Sequence, residues 1–267
     1  VPEDLASKNL HREELRQALE EAISKPEELI LPTDIIRVLP PSSSNPLLIR
    51  AFDPCSSRYG EYIVKGKQAG RQIINDRVAA KLGQSMQAPV GQPYLMEISQ
   101  ELLDVDPDFS YLATGIAHAT KFIPNCSDDH GGFFYANSSA NRSRFAYLAV
   151  LYGWMHANDR QFMHEKKPPL LVYSVDHGHF FVGGPDWTRE HLTGHVEFAQ
   201  PDPMIVKSCN LNDEDLKPAL TALKGISQQT IVQVVGSVPT EWGISIDERI
   251  TLVEYLVKRQ NELLEFF

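Results

Sequence analysis

The sequence predicts an α+β fold of two unequal lobes, a small one on an antiparallel sheet and a larger, mainly helical one, preceded by a helical arm. Three observations carry this expectation. Residues 34–67 hold three short apolar runs divided by turn residues, the pattern of neighbouring strands. From Ser143 onward the apolar positions mostly follow helical spacing. Interrupting the helical pattern is the stretch from Trp154 to Phe181, where the charge-free apolar run Phe145–Met155 and a later β-branched run each end on polar residues. The expected division is a helical arm over residues 1–32, a strand-rich lobe over 33–124 with a connector at about 115–124, and a helical lobe over 125–267.

A chain of 267 residues can bury a real core. Its 42% hydrophobic and 22% charged residues fit an ordinary globular protein. The net charge is −10 and no long Lys/Arg run occurs, which argues against a dedicated nucleic-acid or anionic-membrane surface. The longest apolar run is too short for a membrane span, and no signal-peptide pattern stands at the N-terminus. Cys55, Cys126 and Cys209 are odd in number and lack a Cys-x-x-Cys spacing, so they read as reduced thiols of a cytoplasmic protein. The oligomeric state is left open.

Taken in order, Asp4 to Ile30 is rich in Glu, Leu and Ala, with Leu15, Leu19 and Ile23 at helical spacing, and reads as a helix packed on the neighbouring lobe. Strands are expected at Ile35–Leu39, Leu47–Phe52 and Glu61–Lys65, with the Pro40 to Pro46 loop between the first two. Alternation puts Lys65 on the same face as Ile63, where a lone ammonium is costly. Asp76, on a helix expected over Gln72–Leu82, is the acid that could resolve this. Pro89–Ile98 reads as a region of paired strands, Ser99–Phe109 as an acidic loop or short helix, and His118–Pro124 as a strand. The loop Asp128–Gly132 reads as a solvated turn. Helices are expected at Asp213–Leu223, Ser227–Val235 and Asp247–Phe267.

The central stretch carries the chemistry. Phe145–Met155 reads as a buried helix that breaks into a loop holding Asp159, and Leu170–Val175 as a buried strand ending at Asp176. A proline turn joins them, so the two acids can be brought together. Acids at the ends of rigid elements suit metal binding and proton handling.

Lys65 on the third strand, an acid on the next helix and the pair Asp159 and Asp176 resemble the protein-kinase-like fold, and more narrowly the HipA-like kinase domain found in many bacterial proteins. The matching residues are Tyr62–Lys65, Asn75-Asp76, Gly115–Phe122, Trp154, Asn158–Arg160, Val175–His179, Phe181 and Val238-Pro239-x-x-Trp242. The resemblance covers roughly residues 33–267. The resemblance implies an ATP- and Mg²⁺-dependent phosphotransferase, with a Ser or Thr of a protein as the acceptor. Lys65 would contact the nucleotide phosphates and be held by Asp76, Asp176 would ligate Mg²⁺, and Asp159 would orient or deprotonate the acceptor hydroxyl. The glycine-free loop would cover the phosphates with Ser43, Ser44 and Asn45, and Lys121, Phe122 and Ile123 would offer backbone groups to the adenine edge. The family carries an asparagine five residues after the catalytic aspartate as a second metal ligand. Here that position is His164, an imidazole that suits Mn²⁺ better than Mg²⁺.

Two other readings compete. A nucleotide-binding pseudokinase with a regulatory role is favoured by His164, Asp76 and the glycine-free loop. A metal-dependent hydrolase would draw on His156, Asp159, His164, Asp176, His177 and His179, although no metal-binding spacing supports it.

Overall fold

The computed structural model describes residues 2–39, 42, 44–105, 112–128 and 133–265, with side chains from residue 11 onward. The expected elements are present, with altered limits. Helix α1 (Pro2–Ile23) stops short of the expected arm, because Pro26 cannot continue a helix and disfavours helical backbone at Lys25. Strand β1 already begins at Leu29 and runs to Val38. Leu15, Leu19 and Ala22 of α1 are buried, and the helix packs on α8 (Gln228–Gly236) and α9 (Ile246–Glu265). Gly236 permits this approach, since a Cβ there would fall 2.4 Å from that of Ala22.

The antiparallel sheet that the sequence suggests is a closed barrel, in the order β1-β2-β3-β5-β4. It comprises β1, β2 (Leu47–Asp53), β3 (Arg58–Lys65), β4 (Pro93–Ile98) and β5 (Gly115–Lys121). Closure comes from a parallel pairing of β1 with β4, Leu29 to Leu95 and Ile30 to Met96. The region 89–98 gives one strand rather than a pair. Val90 instead bridges to Ser174 in the helical part. Along β3 and β5, Tyr62, Val64, Ala117 and Ala119 fill the barrel. The period of two turns Ile63, Lys65, His118 and Thr120 to the opposite face, toward a cavity.

Helix α2 (Gln72–Ser85) follows β3 and is buried along most of its length. The short helix α3 (Gln100–Asp104) is capped by Ser99. A second hydrophobic cluster gathers α2 with α4 (Ser139–Met155), α7 (Asp213–Lys224), α8 and α9. Two short helices, α5 (Arg189–Gly194) and α6 (Pro203–Ser208), lie between α4 and α7 in the chain. A small antiparallel sheet, β6 (Cys126–Asp128), β7 (Phe162–Glu165) and β8 (Val172–Ser174), forms part of the cavity's other wall. Strand β8 is shorter than the expected 170–175, since Leu170 and Asp176 both take positive φ.

The late Val238-Pro239-x-x-Trp242 segment ties the helical part to the barrel. The Trp242 indole N–H donates to the Ile116 carbonyl at 2.8 Å. The Ile116 amide donates to the Glu241 carboxylate. Among the described residues, no helix is long and apolar enough to cross a membrane.

Candidate active site

The cavity has a volume of about 520 Å³, within the usual range for small-molecule sites. Lys65, only 6% exposed, lines it. The ammonium donates to Asp76 Oδ2 at 2.8 Å and to Asp176 Oδ1 at 2.6 Å. Burial opposes the charge, but the two carboxylates outweigh it and raise the lysine pKa above its ordinary value. The aspartate on α2 therefore reaches the lysine, as the sequence pairing expects. The other oxygen of Asp76 accepts the His177 backbone N–H at 2.6 Å. One carboxylate thus fixes both the strand lysine and the segment that carries Asp176. Asp176 itself lies in the left-handed region, φ 56°, which aspartate tolerates better than most residues.

Asn75, fully buried, holds that same segment to α2. Its amide nitrogen donates to the carbonyls of Gly178, Phe180 and Gly184, at 2.8, 2.9 and 3.2 Å, and its oxygen accepts the Trp187 indole N–H at 2.9 Å. Behind Asp176, a buried chain runs from the Tyr152 hydroxyl to Ser174 Oγ (2.7 Å) and on to His177 Nε2 (2.8 Å). Burial depresses the His177 pKa to about 4. His118, on the cavity face of β5, is also held neutral, by burial and then by the charges of Arg77 and Lys65.

Asp159 is exposed, and its Oδ1 accepts the Arg160 N–H at 2.7 Å. It does not line the cavity that Asp176 lines. The segments of the two acids nevertheless run side by side. Asn158 donates to the carbonyls of His179 and Phe181, and Val175 N–H donates to the Gln161 carbonyl. Arg160 forms a forked pair with Asp202, the N-cap of α6.

Other expected site residues stand elsewhere. His164 lies on β7 between Phe134 and Tyr135, its ring 4.9 Å from that of Tyr135, and it does not line the cavity. The strand alternation decides this, because Met163 takes the cavity side and His164 the other. Ser44 is buried, and it and Asn45 are also off the cavity wall, their carbonyls accepting from the Gln68 amide. Ser42 does line the cavity. Ser43 lies outside the described residues.

Lys121, Phe122 and Ile123 line the cavity as expected. The N–H groups of the first two are already given to the Gln92 and Glu61 carbonyls, whereas among the described residues the Ile123 N–H is given to no backbone carbonyl. Gln161 was not singled out from the sequence, and Asp128 was read as part of a solvated turn. Both line the cavity, and the Gln161 amide donates to Asp128 at 3.2 Å. Asp128 is in a strand rather than a solvated turn, while residues 129–132 lie outside the described part.

The six residues of the hydrolase reading are dispersed. His164 packs on Tyr135, His177 bonds Ser174, and His156 stands with His195 and Glu197.

A family model described as HipA-like kinase matches residues 35–267. Among solved structures, the chain is similar to the proinflammatory kinase CtkA of Helicobacter pylori, with a TM-score of 0.56 and 13% identity over 87% of this chain and 93% of that one. That likeness concerns the fold. No curated protein matches the chain.

Proposed function

The chain belongs to the HipA-like kinase family, and from that premise we propose that it transfers the γ-phosphoryl group of ATP, with Mg²⁺, to a Ser or Thr hydroxyl of a protein. The observation that carries this reading is Lys65, buried between two carboxylates at the meeting of barrel, α2 and helical part. In this proposal residues 33–124 and 125–267 act as two lobes around the nucleotide. The adenine edge meets the segment 121–123, where the Ile123 N–H has no backbone partner among the described residues. The Lys65 ammonium stays on Asp76 and exchanges Asp176 for phosphate oxygens, which frees Asp176.

The donor set fits Mg²⁺. Asp176, Asp128 and the Gln161 amide supply oxygen around one cavity, and a hard cation takes oxygen ligands. The ion would supply charge neutralisation at the phosphates. Gln161 and Asp128 replace His164 in this role, so the expected preference for Mn²⁺ loses its basis. Asp159, exposed beside the Asp176 segment, orients the acceptor hydroxyl and receives its proton. A pseudokinase reading keeps support from the Lys65–Asp176 contact, which occupies the metal-binding acid.

Calorimetric titration with ATP, with and without Mg²⁺, tests the nucleotide site. Lys65→Met should weaken binding in both conditions. Asp176→Asn should remove the Mg²⁺-dependent part alone. Unchanged affinities in both variants contradict the proposal.

A further inference from the structure

Outside the cavity, two histidines and an acid meet where the Asp159 loop leaves α4. We propose that His156, His195 and Glu197 form a Zn²⁺ site, which goes beyond the phosphotransfer reading and does not depend on it. One ligand atom from each residue lies within 4.8 Å of the other two. The His156 and His195 rings are 4.7 Å apart at 76°, and His156 Nδ1 is 3.8 Å from Glu197 Oε2. Two imidazoles and one carboxylate, with a fourth position open to water, are a common zinc donor set.

Two further observations single out this cluster. His195 Nε2 is buried with no hydrogen-bond partner among the described residues, and buried polar nitrogens are rarely left so. His156 takes φ 57° at the end of α4, a costly position for a non-glycine residue that is retained only where its surroundings impose it. Nearby cations work against a dication. Arg259 donates to the carbonyls of Gly153, Trp154 and Glu197, and Lys258 to that of His195. They make this a weaker site than a closed structural one, filled or emptied by changes in zinc level. Glu197 is 62% exposed in its side chain, so an ion can enter from solvent.

Occupancy would join two segments. His156 precedes Asn158 and Asp159, whereas His195 and Glu197 lead to Asp202, the partner of Arg160. Zinc would thus stiffen the loop that presents Asp159.

The test titrates the untagged full chain with Co²⁺, whose four-coordinate complexes with imidazole absorb visible light far more strongly than octahedral oxygen sites. One strongly absorbing Co²⁺ per chain is expected, displaced by Zn²⁺. His195→Ala should weaken binding by more than the roughly 10–100-fold that loss of an outer partner costs. Glu197→Gln, at an exposed position that leaves folding intact, should weaken it too. Zn²⁺ should also raise the melting temperature of the wild type but not of Glu197→Gln. Absence of the strong absorption, or equal absorption in wild type and Glu197→Gln, overturns the proposal.

Discussion

Burying a lysine ammonium is unfavourable unless acids surround it, and Lys65 has one on each side of the cavity. Lys65→Met should therefore leave Asp76 and Asp176 as uncompensated neighbours, and the variant should lose stability as well as nucleotide affinity. His177 shows the opposite case, a group kept neutral by burial. Its folded pKa is about 4, below the ordinary 6.5. Between those values the unfolded chain binds a proton that the folded chain does not, so stability falls as the pH drops through this window. The slope is up to about 1.4 kcal/mol per pH unit. His118 contributes in the same direction. Urea midpoints measured at about pH 7 and about pH 5 check this. His177→Gln should flatten the dependence, and an unchanged slope would remove His177 from the account. Lys65 and Asp76 were legible because a charge inside an apolar strand demands a partner. His164 was misplaced because counting five residues from Asp159 ignores the face that β7 turns to the cavity.

At the scale of elements, α2 organises the site. It carries Asp76 toward Lys65 and His177, and Asn75 toward three carbonyls of the segment after Asp176. Asn75→Ala would leave those carbonyls and the Trp187 indole without their partner. Each buried group so orphaned costs about 1–3 kcal/mol, so a loss of several kcal/mol is expected, read as a lowered denaturation midpoint. A variant as stable as wild type would show that the segment is held otherwise. Helix α2 and strand β3 were readable from apolar spacing, which is local. The Asn75 contacts span 103 to 112 residues of chain, and no local pattern encodes them. The same holds for Gln161 and Asp128, which the β6–β7 pairing brings to one wall.

At the scale of the molecule, the helix outside the family match, α1, completes a core rather than standing apart. It buries Leu15, Leu19 and Ala22 against the helical part and adds ion pairs from Arg16 to Asp247 (2.6 Å) and Arg12 to Glu254 (3.1 Å). A large apolar side chain contributes about 1.5–3 kcal/mol on burial. Removing residues 2–26 should thus lower the melting temperature while leaving ATP affinity of the folded fraction unchanged, since among the described residues α1 gives none to the cavity. Loss of ATP binding by folded protein would show that α1 shapes the site. Helices α2, α4, α7, α8 and α9 and the first three strands followed from the sequence, whereas β6, β7 and the closing β1–β4 pairing did not. That pairing joins strands about 65 residues apart in parallel, and parallel pairing leaves no turn signature.

The central claim is that Asp159 and the Lys65–Asp176 pair divide the work of phosphoryl transfer. The most direct measurement follows radiolabelled γ-phosphate from ATP into protein for wild type and Asp159→Asn, alongside ATP affinity. Because Asp159 does not line the cavity that holds Lys65, affinity should stay near wild type. Transfer should fall by about 10²–10⁴, the range of a lost acid–base or orienting group. Transfer at the wild-type rate in Asp159→Asn would contradict the assignment.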